Sequence, residues 1–210
     1  MPFYLYFNIA SELSAVILGT IFLKSLDKKF IFLYAFVCYA FATEVGLHIL
    51  SKLGAHNTLP GTHFYGPIEF LLLSLMYYYH FKSSKISKWI LFILVLFEVY
   101  CITNPLFIQG LYEYSNTRAI SGLILVFFSI LYFHDVMVET KIGKLSAEPM
   151  IWINTAILLY FSANLFYNVL FTMILEYSRE FSKLVSVYFT FFNVLFYLLI
   201  AIGFFKTKKI

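Results

Sequence analysis

The sequence predicts an all-α membrane protein: a bundle of seven transmembrane helices with its N-terminus outside and its C-terminus in the cytoplasm. Three observations carry this. The 210 residues are 61% hydrophobic and 12% charged, whereas a soluble domain carries roughly 25% charged residues. The apolar runs are about twenty residues long, the length a helix needs to cross a bilayer. They do not alternate at a period of two, as the strands of an outer-membrane barrel would. A soluble fold of this size has too little interior to hide so much apolar surface, so lipid is the solvent.

A single transmembrane domain, 1–210, is expected, with spans at 3–23, 30–50, 64–81, 89–109, 117–138, 150–175 and 184–205. The first run follows Met1-Pro2-Phe3-Tyr4, which has no basic region, and Glu12 interrupts it. It reads as a retained helix and not as a cleaved signal. The joints are short and carry loop signals, as in Lys52-Leu53-Gly54-Ala55-His56-Asn57 and Asn104-Pro105. Pro67 falls in the first turn of the third span, where proline is tolerated. The alternative is a kink that frees backbone carbonyls beside Glu69.

Orientation follows from the basic residues. Lys24, Lys28, Lys29, Lys82, Lys85, Lys88, Lys141, Lys144, Lys206, Lys208 and Lys209 fall on one side of these spans. Lys52, Arg118, Arg179 and Lys183 fall on the other. The richer side is expected in the cytoplasm. Trp89 and Trp152 fall at that same end, as an interfacial aromatic belt would. The net charge of +4 is thus a matter of topology, and no nucleic-acid partner is expected. Cys38 and Cys101 lie inside apolar runs and suggest neither a disulfide framework nor a zinc site.

Ionisable residues in a span cost roughly 2.5–3.5 kcal/mol each on insertion scales, so they need a reason. Glu12, Glu44, Glu69 and Glu98 lie in the first four spans, and Asn164, Asn168 and Asn193 in the last two. At a rise of 1.5 Å per residue, Glu69 is about 7 Å from the outer end of its span, Glu44 about 9 Å and Asn168 about 10 Å. Glu12 and Asn193 are about 13 Å in, and Glu98 and Asn164 about 15 Å. Asn8/Glu12, Glu44/His48, Tyr65/Glu69 and Asn164/Asn168 are all i, i+4 pairs, each on one helix face. Ser186, Thr190, Asn193 and Tyr197 repeat the theme in the last span. The expectation is an outward-opening polar pocket with Glu12, Glu44, His48, Glu69, Asn164, Asn168 and Asn193 as ligand-binding residues. The bland alternative is interhelical hydrogen bonding, worth about 0.6 kcal/mol per group.

The cluster holds acids without matching bases, because no Lys or Arg falls deep in a span. Protonation, a bound cation or a charged His48 would each balance it. Glu44, His48 and Glu69 are weak candidates for a metal site, carboxylate and imidazole being suitable ligands. The cofactor is otherwise open. A retinal Schiff base needs a lysine in the last span, and 184–205 contains none. No His-x-x-x-His helix of the zinc-dependent membrane hydrolases occurs, nor a Pro-Gln dipeptide of the small sugar transporters.

Two stretches, Tyr65-Gly66-Pro67-Ile68-Glu69-Phe70-Leu71-Leu72-Leu73 and Trp152 through Tyr160-Phe161-Ser162-Ala163-Asn164, resemble short seven-helix membrane proteins of bacteria to which no activity is assigned. The likeness is one of general character along the whole chain. It implies a cytoplasmic-membrane location and supplies no activity.

The reading these features favour is a sensory or ligand-binding module, with the lipid bilayer around it and a cytoplasmic signalling partner as its candidate output. A proton-coupled small-molecule transporter is the alternative, since membrane carboxylates often mark proton paths. A short echo between residues 41–48 and 161–168 suits a parallel 3+1+3 plan of the transporter kind. An intramembrane metal-dependent enzyme is the second alternative. Enzymatic activity is otherwise not expected: the serines are plentiful, but none is paired with a His in sequence.

Overall fold

A computed structural model describes residues 3–54, 59–108, 110, 116–139, 144–177 and 179–207. Within its helices the side chains of 3–5, 59, 60, 62, 139, 168–177, 179, 180, 182, 183 and 186 lie outside the description. The side chains of Asn168 and Ser186 therefore do, as do His56, Asn57, Lys141, Lys208 and Lys209.

The described residues form seven α-helices and no strand: α1 Phe3–Ile21, α2 Lys28–Lys52, α3 Leu59–His80, α4 Ile86–Phe107, α5 Thr117–Glu139, α6 Pro149–Tyr177 and α7 Arg179–Lys206. Short 3-10 turns stand at Leu23–Ser25 and Leu145–Ala147. Five stretches are long and apolar enough to cross a membrane: Lys28–Lys52, Ile86–Phe107, Thr117–Val138, Pro149–Tyr167 and Val187–Lys206. α1 adds a shorter apolar stretch, Tyr6–Ile21. The chain is thus a helical protein of multi-pass membrane character.

Two helices begin five residues before the sequence expectation. α7 starts at Arg179 and α3 at Leu59. In α3 the first-turn proline is Pro60, and Pro67 sits inside the helix, which corrects the reading of Pro67 as a first-turn residue. Its missing N–H leaves the carbonyl of His63, four residues back, without its usual helical donor. Asn104 and Pro105 are likewise not a joint. Both lie within α4, and Asn104 is fully buried.

Helix contacts divide the chain into two compact units. Unit 1 is Met1–Ser25 with Gly122–Ile210, and unit 2 is Leu26–Ser121. In unit 2, α3 packs between α2 and α4. Phe30, Leu33, Phe36, Val37 and Ala40 bury one stripe of α2 at helical spacing. Phe70 of α3 meets Phe97 of α4 with ring centroids 4.2 Å apart. In unit 1, α7 packs against both α1 and α6. α1 buries Ser11, Ala15 and Gly19, small residues four apart that allow close helix approach. α6 and α7 run antiparallel in a register fixed by three contacts. Tyr160 stacks on Phe196, Tyr167 meets Phe189, and a Cβ at Gly203 would fall 2.5 Å from Ile153 Cγ1. Each step of seven residues on one helix is matched by seven in reverse on the other.

A polar clamp ties α5 to α6. Ser129 Oγ donates to Asn154 Oδ1 at 2.9 Å, and Asn154 Nδ2 donates to the Ser129 carbonyl at 3.0 Å. Both residues are fully buried. Reciprocal bonding satisfies polar groups that lipid or a hydrocarbon core would leave unsolvated.

Candidate functional site

The expected site residues fall in different units: Glu44, His48 and Glu69 in unit 2, and Glu12, Asn164, Asn168 and Asn193 in unit 1.

The best-built constellation is in unit 2, around Glu69. α3 carries Tyr65 and Glu69 one turn apart, and the Tyr65 hydroxyl donates to Glu69 Oε1 at 3.3 Å. Glu69 itself is 3% exposed. The Tyr65 ring is held on both sides. Tyr39 of α2 stacks on it with centroids 5.6 Å apart and planes 15° from parallel. Arg118, in the first turn of α5, places its guanidinium carbon 5.3 Å from the same ring's centroid. α5 approaches α3 at Gly66, where a Cβ would make ordinary contact at 3.8 Å with Arg118 Cγ and Thr117 Oγ1. Tyr39 also donates to the Phe64 carbonyl at 3.5 Å.

Arg118 lies within electrostatic reach of Glu69. Arg118 stands at the second position of α5, at the end of the helix as the expected span 117–138 has it, and its side chain is half-buried against Tyr65. A guanidinium over an aromatic face gains from the ring quadrupole, and a carboxylate in reach adds Coulomb attraction. Chemically the group can orient a small polar molecule, with one acid, one base and two phenol rings converging.

Glu44 and His48 share one face of α2 and lie within electrostatic reach of each other. Both are half-buried. They are not level with Glu69. Leu47 lies against Gly61, and Tyr39 stacks on Tyr65, which brackets Glu44 between residues 61 and 65 of α3. Glu69 is at least one turn deeper, about 6 Å. The expected depths ran the other way, because they started α3 five residues late. Among the described residues, no group of three His, Cys, Asp or Glu side chains could hold a metal ion.

In unit 1, Glu12, Asn164 and Asn193 lie near one level along their helices. Antiparallel registration places Asn164 of α6 level with Phe192 of α7, one residue from Asn193. On the other side of α7, Phe22, just past the end of α1, meets Phe205 with centroids 6.2 Å apart. Because α1 packs along α7 from that end, the two run parallel. Glu12, ten residues before Phe22, is level with Leu195, between Asn193 and Tyr197. Glu12 and Tyr197 are each 3% exposed. One turn from Glu12, Asn8 Oδ1 is buried with no hydrogen-bond partner among the described residues. Asn164 spends an amide proton on its own helix, donating to the Tyr160 carbonyl at 2.9 Å. That bond stays within α6, so it is not the interhelical bonding of the bland alternative.

Sequence reasoning missed Tyr39, Arg118, Ser129 and Asn154. A signal existed for Tyr39, four residues before Thr43 on the face of α2 that continues toward Glu44. None existed for the Ser129–Asn154 clamp, since single Ser and Asn residues are common in spans. Comparison with family models, with curated proteins and with solved structures finds no match.

Proposed function

We propose that the chain crosses the cytoplasmic membrane seven times, N-terminus outside, and serves as a sensory or ligand-binding module. Its ligand site is centred on Glu69, Tyr65 and Arg118 in the outer half of the bilayer, with Tyr39 as an aromatic wall. The observation that carries this reading is Glu69 itself. A carboxylate 3% exposed on an apolar helix, bonded by a phenol of its own helix and within electrostatic reach of a guanidinium on α5, is costly to keep for architecture alone. Small polar molecules bearing both a donor and a charge match the set. Output passes through the cytoplasmic loops to a signalling partner.

The test is thermal unfolding of purified protein in detergent against a panel of amines, amino acids and small carboxylates. A ligand that raises the melting temperature of the wild type, and not of Glu69→Gln, supports the reading. No stabilising ligand across all three classes counts against it.

Proton-coupled transport is the second reading. It is favoured by Glu12 and Glu69, two deeply buried carboxylates on different helices. Substrate uptake into proteoliposomes under an imposed pH gradient separates the two: a sensor binds and does not accumulate its ligand.

A further inference from the structure

The opposite end of unit 2 has its own chemistry, which does not depend on the reading of Glu69. Phe32 of α2 stacks on Tyr79 of α3 with centroids 5.2 Å apart and planes 16° from parallel. Three residues back from Phe32 is Lys29, and three residues on from Tyr79 is Lys82. The helices run antiparallel, so both lysines stand at one level. Lys29 Nζ lies 4.9 Å from the Phe30 ring and Lys82 Nζ 5.6 Å from the Tyr79 ring. Lys28 opens α2 beside Lys29. The short turn from Phe81 to Lys85 leads into α4, which brings Lys85 and Lys88 to the same end.

Five lysines thus meet one acid, Asp27, at this rim. None of the five is drawn into an ion pair among the described residues, and Lys28, Lys82, Lys85 and Lys88 are exposed. Two helices also begin here. Neither Asp27 before α2 nor Lys85 before α4 makes a side-chain capping bond. At α4 the Ile86 N–H donates to Ser84 Oγ at 3.2 Å and the next two N–H groups to the Ser84 and Lys85 carbonyls, so what both starts share is the partial positive charge of a helix N-terminus. One turn along α4, Trp89 and Phe92 are exposed and in edge contact at 6.2 Å, an apolar wall directly beneath the charges. A cationic rim above exposed apolar side chains matches an amphiphile with an anionic head.

We propose that Lys28, Lys29, Lys82, Lys85 and Lys88 form a binding site for the headgroup of an anionic phospholipid of the surrounding leaflet. The phosphate takes the lysines, and the acyl chains lie along Trp89 and Phe92. Positive charge at a cytoplasmic end serves topology in any membrane protein. The added claim here is a retained lipid at one rim, and it is separable by experiment.

Purified protein is exchanged into detergent containing either phosphatidylglycerol or phosphatidylcholine, and retained lipid is measured by native mass spectrometry. The expected result is retention of phosphatidylglycerol with little phosphatidylcholine. Each near-surface lysine contributes roughly fivefold to such binding, so Lys28→Gln/Lys82→Gln/Lys85→Gln should lower retention by more than tenfold. Lys144→Gln/Lys206→Gln, in unit 1, should leave it unchanged. Equal melting temperatures in phosphatidylcholine show that the triple variant folds, and Lys82→Gln alone, with its expected fivefold loss, serves if it does not. Equal retention of the two lipids, an equal loss in the unit 1 variant, or full displacement by millimolar inorganic phosphate would overturn the proposal.

Discussion

Arg118 stands over the ring of Tyr65, its guanidinium carbon 5.3 Å from the ring centroid, and this contact joins the start of α5 to α3. Tyr65 then hands the interaction on to Glu69 through its hydroxyl. The three residues act as one electrostatic group, so they should respond to mutation as a group. Arg118→Gln leaves the buried Glu69 charge uncompensated and should cost about 1–3 kcal/mol of stability. Glu69→Gln/Arg118→Gln should recover much of that loss. Chemical unfolding in micelles measures both, and strictly additive losses would show that the two side chains do not interact.

Tyr65→Phe keeps the ring between Tyr39 and Arg118 and removes only the hydroxyl. Its cost should be smaller, about 0.5–1.5 kcal/mol, the net worth of one hydrogen bond. Tyr65→Leu removes the stacking face as well and should cost clearly more. If the two variants unfold alike, the stacked ring contributes nothing.

The α5–α6 clamp predicts a coupling. Ser129→Ala and Asn154→Ala each break the same reciprocal pair, so the double variant should lose less than the two single losses added together. A coupling energy of about 0.6–1.7 kcal/mol is expected for polar pairs between membrane helices. Asn164→Ala is the contrast: its amide bonds to its own helix, and its loss should be small by the same measurement.

Gly203 is the tightest point of the α6–α7 register. A Cβ there falls 2.5 Å from Ile153 Cγ1 and 3.4 Å from the Pro149 carbonyl oxygen. Gly203→Ala should destabilise by about 1–3 kcal/mol through overpacking. Ile153→Ala should partly rescue Gly203→Ala, since it removes the atoms that clash. A neutral Gly203→Ala variant would mean that the two helices stand further apart.

Much of this architecture was legible because hydrophobic run length depends on a physical constant, the thickness of the hydrocarbon layer. Hence the spans around Leu94, Phe128 and Ile157 are where composition puts them. Helix starts were less legible. Pro60 and Pro67 both lie early in one apolar stretch, and only tertiary packing decides which of them opens the helix. That choice moved Glu69 from shallower than Glu44 to deeper. The depth expected for Asn193 shifts in the same way, because α7 begins at Arg179 and not at 184. Arg118 could not be read, because a residue at a helix start can turn to solvent or fold back over a neighbour. The neighbour it folds over is Tyr65, some fifty positions away.

The pairing of Phe22 with Phe205 also has a consequence for synthesis. α1 leaves the ribosome well before α7, yet the two pack against each other. At about 5–20 residues per second, roughly 10–40 s separate the emergence of the two rings. Throughout that interval Glu12 has no α7 beside it. Until α7 arrives, α1 also lacks the helix against which Ser11, Ala15 and Gly19 can pack.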